Sequence, residues 1–229
     1  MSTGTPNPAE GAWNRFVDRR GPNRGDARRD SLLQAFDELL REQSLDEINV
    51  AEISRRAGVT RSAFYFYFEN KPLAVMALMA DLYDAAAEAN EILVKAEGDP
   101  EERIRGAISL LFDSVDSSPH TYRALLDARG SSPEVRRTWD AGLADFGGVI
   151  AGMIETERAA GRAAAGPDAH ALAAVLLDLN NHGLERHAVG SGPPREQHIE
   201  ALACVWLRTI YGTTDGLTDG PTDELRSTR

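Results

Sequence analysis

Apolar side chains recur along this chain every three or four positions, and breaks between the runs fall at clustered Gly, Pro, Ser and Asp. From about Asp26 a stripe of Leu32, Leu33, Phe36, Leu39 and Leu40 predicts a first helix, and Leu45 and Ile48 in the connector 44–48 are set to plug its core. Asn49 followed by Glu52 resembles a capping box and starts a second helix, whose Ile53 and Ala57 share one face. Gly58 supplies the left-handed backbone of a sharp turn, and Thr60 can cap a third helix running through Arg61, Ser62, Phe64 and Tyr65 towards Phe68. Lys71-Pro72 opens a fourth, with Leu73, Met76, Ala80, Tyr83 and Ala87 in step, read as one long rod reaching Lys95. Further helices follow Asp99-Pro100 (Ile104, Ile108, Leu111, Phe112, Val115), Pro119 (119–128, ending near Gly130) and Ser132-Pro133 (Val135 to Ile154, stopping at Gly161). The last two follow Pro167-Asp168 (Ala169 to Val189) and Pro194 (Ile199, Leu202, Val205, Trp206, Ile210, ending at Gly212). No stretch alternates as a strand does and no internal repeat is present, so the expected fold class is all-α.

Two short helices joined by a tight glycine turn form a helix-turn-helix, the unit that lays its second helix in the major groove of DNA. An ordinary helical hairpin shares this outline. What separates the two is surface chemistry: Arg61, Ser62, Tyr65, Tyr67 and Lys71 all carry donors, and only Phe64 and Phe68 look like a packing face. Donors gathered at a helix N-terminus suit phosphates and base edges.

The run Val59-Thr60-Arg-Ser-Ala-Phe64-Tyr65-Phe-Tyr67-Phe68-Glu-Asn-Lys71 resembles the DNA-binding region of the tetracycline-repressor (TetR) family of bacterial regulators. The resemblance implies a dimeric regulator, most often a repressor, on a palindromic double-stranded operator. Arg61 and Ser62 are then the candidate base readers, Tyr65, Tyr67 and Lys71 the phosphate contacts, and Asn49 and Thr60 the residues presenting helix N-termini to the backbone. The second half resembles, more weakly, the ethionamide-resistance repressor subgroup. The similarity lies in Phe64-Tyr-Phe-Tyr-Phe68, in the end of the Trp139 helix, Glu155-Thr-Glu-Arg-Ala-Ala-Gly161, and in Trp206-Leu-Arg-Thr-Ile-Tyr-Gly212. That subgroup takes lipophilic ligands into a mostly aromatic channel. The positions corresponding to its lining are Ile104, Leu111, Val115, Trp139, Leu143, Phe146, Asn180 and Trp206. The chain departs from the pattern with aliphatic residues at 104, 111 and 115 and with Glu185 where an aromatic would sit. The resemblance also assigns the last two helices to a four-helix bundle with a dimer mate, although core burial explains their apolar composition equally well. Asn180 stands apart on physical grounds, since an amide inside an apolar helix needs a hydrogen-bonding partner, from the protein or from a ligand.

Charge refines this picture. The 229 residues carry a formal net charge of −11, which taken whole argues against a polyanionic partner. Residues 1–12, 13–71 and 72–229 carry −1, +1 and −11, so the acidity lies away from the predicted head. Six arginines from Arg15 to Arg29 face only Asp18 and Asp26, making a locally basic arm that is either a solvated leader or a phosphate contact. The expected organisation is a flexible arm over 1–25, into which Trp13, Phe16 and Val17 introduce apolar side chains that could fold back. A DNA-binding head over 26–71, a ligand-binding and dimerisation domain over 72–212, and a disordered tail over 213–229 follow. A single cysteine, Cys204, rules out an internal disulfide and a thiol cluster. No apolar leader and no run long enough to cross a bilayer is present, and a soluble, cytoplasmic protein without membrane contact is expected. Asp178, His182 and Glu185 share a helix face at metal-ligand spacing, but a polar stripe explains them better, and no metal or cofactor is expected. The competing classes are a helical small-molecule-binding or enzymatic bundle whose head reads no DNA, and a protein-interaction bundle. Paired Glu-x-x-His motifs, Gly-rich phosphate loops and Gly-x-Ser-x-Gly elbows are all missing from the sequence, so an enzyme is not expected.

Overall fold

The computed structural model describes residues 27–95 and 98–212. The expected arm over 1–25, with Trp13, Phe16 and Val17, and the expected tail over 213–229 lie outside the described residues. Among the described residues the chain forms ten helices and no strand. Three of them build the head: α1 (Ala27–Glu42), α2 (Val50–Arg56) and α3 (Arg61–Tyr67).

The head closes around Leu32, Phe36 and Leu39 of α1, with Leu45 and Ile48 from the connector, Ile53 from α2 and Phe64 from α3 all fully buried. Burying an aliphatic or aromatic side chain of this kind contributes about 1.5–3 kcal/mol, so the connector residues matter as much as any helical position. Asn49 caps α2, its side-chain oxygen accepting from Glu52 N at 2.9 Å. The turn into α3 is closed by Val59 N donating to the Ser54 carbonyl at 2.9 Å, and Gly58 takes φ +68°, which a residue with a Cβ adopts only under strain. Arg56 clasps Glu42 with two bonds, of 2.7 and 2.9 Å, tying α2 to the end of α1.

The body consists of α4 (Lys71–Leu78), α5 (Ala80–Val94), α6 (Pro100–Ser117), α7 (Pro119–Ser131), α8 (Pro133–Ala159), α9 (Ala169–Ala188) and α10 (Arg195–Tyr211). Their starts follow the predicted punctuation. Proline stands in the first turn of α4, α6, α7 and α8, and the side chains of Asn70, Asp99, Ser132 and Asp168 accept from the first backbone amides of α4, α6, α8 and α9. α5 packs along α6 and α8, α9 along α8, α10 along α6, and α4 against α7.

One expectation is corrected. The single rod from Lys71 to Lys95 is two helices, broken at Met79, where the amide bonds back only three residues, to Met76. The two pieces have different neighbours. α4 buries five consecutive residues, Leu73 to Ala77, mainly against α7, whereas α5 buries a narrower stripe against α6 and α8. Met79 is itself buried at the bend.

The far end of α5 is held by Arg103. Its guanidinium donates to the carbonyls of Leu93 and Lys95 and lies 3.7 Å from the buried carboxylate of Glu157 on α8. Glu157 also accepts from Arg162 at 2.8 Å; that hydrogen bond, against the opposing effect of burial, keeps its carboxyl below the usual range.

The head and body are also bolted directly. Asp37 of α1 accepts from Thr121 Oγ1 at 3.0 Å and from His120 Nε2 at 2.7 Å, both on α7, and from Arg41 on its own helix. Burial alone would raise the Asp37 carboxyl, but these bonds outweigh it and hold it below its ordinary value.

Candidate functional site

The seven residues predicted to meet DNA divide into two groups. Arg61, Ser62 and Tyr65 are exposed on one face of α3, opposite the buried Phe64. Arg61 is one turn before Tyr65 and folds over it, donating to the phenol oxygen at 3.2 Å with its guanidinium carbon 5.6 Å from the ring centre. Thr60 occupies the N-cap position of α3 with an extended backbone, but its hydroxyl pairs with Ser62 Oγ at 2.9 Å instead of capping an amide. Asn49 and Thr60 therefore mark the N-termini of α2 and α3 as expected.

Tyr67 and Lys71 are placed differently, and the reading of Phe64 and Phe68 as the only packing residues of α3 is corrected. Tyr67 is 7% exposed, its ring set against Phe66 and Phe68, because position 67 lies on the core side of α3 beside Phe64. Lys71 turns its ammonium back onto the connector, where it donates to the carbonyls of Leu45, Asp46 and Ile48. The connector has too few residues to satisfy these carbonyls by helix bonds, and a three-donor ammonium fits the gap. Desolvation pulls the Lys71 pKa down, with Asp46 opposing. Phe66, which the sequence reading passed over, is 44% exposed on the same side as Ser62, one turn earlier.

In the body, α5, α6, α8, α9 and α10 surround a cavity of about 80 Å³, room for several water molecules or a short alkyl chain. Seven of the eight predicted lining residues face it: Ile104, Leu111, Trp139, Leu143, Phe146, Asn180 and Trp206. Val115 does not. It is buried in the core one helical turn past Leu111, which carries it beyond the cavity's end. The missing wall is α5, contributing Leu82, Tyr83, Ala86, Ala89, Asn90 and Leu93. These positions recur every three or four residues, a signal present in the sequence but read only as the face of a connecting rod. Small side chains make the space, since Ala86 and Ala89 of α5 and Ala107 of α6 all line it. Tyr83 stacks near Trp139 and Phe146, with centroids 6.4 and 6.1 Å apart, and Gly142 lets it in: a Cβ there would stand 3.0 Å from the Tyr83 hydroxyl.

The amide that had to find a partner has one. Asn180 Oδ1 accepts from the indole Nε1 of Trp206 at 3.1 Å, joining α9 to α10 beside the cavity. Asp178, His182 and Glu185 do not converge on a common point. Asp178 and His182 are exposed, His182 Nδ1 lies 3.8 Å from Glu185, and Glu185 accepts from Arg129 at 2.7 Å and from Asn181 at 3.0 Å. Among the described residues no group of three or more His, Cys, Asp or Glu side chains is placed to hold a metal, and no helix is long and apolar enough to cross a membrane.

Comparison with known proteins fits both halves of this geometry. Residues 32–72, the head, match the model of bacterial regulatory proteins of the tetR family, and residues 104–212 match that of the C-terminal domain of the transcriptional regulator EthR. The HTH-type transcriptional regulator EthR of Mycolicibacterium smegmatis is 32% identical over 193 residues, covering 82% of this chain and 88% of that protein. EthR of Mycobacterium tuberculosis is 30% identical over 192 residues, covering 82% and 89%. Among solved structures, SmeT in complex with triclosan superposes with a TM-score of 0.63 at 18% identity, covering 87% of this chain and all of that one, a likeness of fold. The chain therefore belongs to the TetR family of helix-turn-helix transcriptional regulators, in its EthR-like branch, and is not an enzyme.

Proposed function

We propose that the protein is a dimeric repressor acting in the cytoplasm, which binds a palindromic operator and is released by a small lipophilic ligand. The observation that carries this reading is that α5 serves two purposes. It is one wall of the apolar cavity, and through Met79 and α4 it is continuous with the head. A ligand that spreads α5 from α6 and α8 therefore acts on the segment that sets the head's angle. Release follows only if the ligand binds the DNA-free arrangement more tightly than the DNA-bound one.

On the DNA side, Arg61 and Ser62 read base edges, Tyr65 holds a phosphate, and the N-termini of α2 and α3 at Asn49 and Thr60 face the backbone. Tyr67 and Lys71 support the head from within. Dimerisation is supported by apolar side chains on the outer faces of the last two helices: Val175 and Leu179, one turn apart on α9, and Val205 on α10 are 56%, 42% and 41% exposed. SmeT, whose fold this chain shares, was captured with triclosan, an aromatic lipophile, and that parallel supports a ligand of the same broad kind.

The test is selection of genomic fragments with purified protein, followed by footprinting across a salt series and then by titration with lipophilic compounds. A palindromic footprint whose affinity falls steeply with salt, and which a bound lipophile abolishes, is the expected outcome. Salt-insensitive or absent DNA binding would remove the operator reading. Unchanged DNA affinity at saturating ligand would remove the release mechanism. Within the head, Arg61→Ala should relax preference at particular base pairs, by about 1–3 kcal/mol each, whereas Tyr65→Phe should weaken all sequences alike.

A further inference from the structure

The outer face of α3 carries more hydrocarbon than a hydrogen-bonding surface requires. Phe64 and Tyr67 are the buried residues of this helix. At about 100° per residue, Ser62 stands almost opposite their midpoint, with Tyr65 and Phe66 to either side of it. Tyr65 is 39% and Phe66 44% exposed, and among the described residues of the head they are the only large apolar side chains so exposed. Both fall on the face that also carries Arg61 and Ser62. The two rings end differently. Tyr65 has a phenol oxygen, which accepts from Arg61 at 3.2 Å. Phe66 ends in hydrocarbon, and the ring of Tyr67 meets it edge to face, with centroids 4.9 Å apart and planes at 88°. A buried neighbour thus steadies the Phe66 ring from the core side. An exposed phenylalanine forgoes the free energy that burial would bring, and a surface that closes over it recovers that energy.

We propose that Phe66 is a specificity-determining residue, which packs its ring against the 5-methyl group of a thymine in each half of the operator. This rests on the operator reading above and adds a base identity to it. Chemistry narrows the choice. A phenyl ring brings no N–H or O–H, so it holds no phosphate, and the donors and acceptors on base edges would only be desolvated by it. The thymine methyl is the apolar group that the major groove presents. Tyr67 also keeps the ring on the flank of the helix, which suits contact along a groove. An aromatic wedge driven between base steps belongs instead to minor-groove binding. An apolar protein partner would have to cover Arg61 and Ser62 together with Phe66, at the cost of desolvating a charge. Against a thymine the ring is buried while its polar neighbours still meet polar base edges. A dimer presents α3 twice, so the thymine recurs at symmetric positions.

The test titrates the full-length protein, at one fixed salt concentration, with the fragment recovered by the selection above. The fragment is made in its natural form and as a set in which each symmetric pair of thymines is replaced by uracil. Uracil lacks the methyl and keeps every hydrogen-bonding group. Wild type and Phe66→Ala are compared on all of these and on a random duplex. For the wild type, uracil at one symmetric pair should weaken binding about fifteenfold, or about fourfold for each half-site, the worth of one buried methyl. Phe66→Ala should bind the natural fragment more weakly by at least about the same factor. It should keep its affinity for random DNA within about twofold and lose less than about twofold on uracil at that pair, the non-additivity that marks a direct contact. If no uracil position affects the wild type, or if Phe66→Ala remains as sensitive as the wild type, Phe66 reads no methyl. Equal losses of Phe66→Ala on the natural and random duplexes would also overturn the assignment. So would a clearly lower urea midpoint for Phe66→Ala, which would make the ring a structural part of the head. Each of these results leaves the operator reading standing. Absence of salt-sensitive DNA binding by the wild type would remove that reading and the role of Phe66 with it.

Discussion

In the head, polar side chains hold the backbone together: Lys71 donates to three connector carbonyls, Asn49 caps α2, and Arg56 clasps Glu42. In the body the opposite holds around the cavity, where apolar walls enclose a few polar groups and the indole donor of the wall residue Trp139 is left without an acceptor. Size explains the contrast. A head of about 45 residues buries too little apolar surface to be stable on that alone, so its loops are fixed by specific hydrogen bonds and its outward donors are few. The larger body has apolar surface to spare and tolerates both a void and an unpaired donor beside it. A DNA reader needs side chains held in register, and a ligand site needs space left unfilled.

The sharpest way to break this comparison is Lys71→Ala. If the ammonium serves the connector, its loss strands three carbonyls and lowers stability by about 2–3 kcal/mol, seen as an earlier midpoint in urea unfolding of the full chain. DNA binding would then fail through loss of the head's fold, whereas Arg61→Ala should relax base preference with unfolding unchanged within about 0.5 kcal/mol. Wild-type stability in Lys71→Ala together with lost DNA affinity would return Lys71 to the phosphate-binding group.

Next in size comes Asn180→Ala. It removes the acceptor of a fully buried indole and should destabilise the body by about 2 kcal/mol, read by the same unfolding measurement. An unchanged midpoint would mean that Trp206 finds another acceptor and that the α9–α10 bond is incidental. Smaller still is Ala86→Leu, which fills the void from the α5 side. It should stabilise the free protein by about 1 kcal/mol through added apolar burial and abolish lipophile-driven release without altering operator affinity. Release that survives the filled cavity would place the effector elsewhere.

The same contrast explains what could be read from the sequence. Helix starts were legible because caps and first-turn prolines are local: Asn49, Asp99-Pro100, Ser132-Pro133 and Asp168 each act within three residues. The α2–α3 turn was legible through Gly58 for the same reason. The break at Met79 was not, because it carries no Pro or Gly and arises from two helical pieces facing different partners. The burial of Tyr67 and the inward bonds of Lys71 were not legible, since a donor's chemistry does not reveal whether it faces outwards; the Lys71 ammonium is drawn to carbonyls 23 to 26 residues earlier. Seven cavity residues were reached by carrying the lining of a resembling family over position by position, even where the residue type differs, as at Ile104 and Leu111. The α5 wall was missed because the space there is made by alanines, and a small residue in a helix carries no mark of what it leaves unfilled.

The smallest effect concerns the bolt between the two regions. Asp37 joins α1 to His120 and Thr121 of α7, and its folded-state carboxyl is held below the ordinary value. A depressed carboxylate contributes stability that is fully present above the unfolded value near 3.9, and this is lost as pH falls through the folded value. The wild type should therefore exceed Asp37→Asn in stability by about 1 kcal/mol near neutral pH, and the two unfolding curves should converge in acid below the ordinary aspartate range. Comparing the two proteins cancels the titrating groups that do not touch Asp37, so the difference reports this carboxylate together with its bonded partner His120. Operator affinity adds a second axis. If the bolt sets the head's angle, Asp37→Asn at neutral pH should shift DNA affinity or its response to ligand, even though residue 37 lies on α1, away from the Arg61–Tyr65 face of α3. A stability difference with no change in either would make the bolt a structural tie only, and would leave α4 and α5 as the sole route from cavity to head.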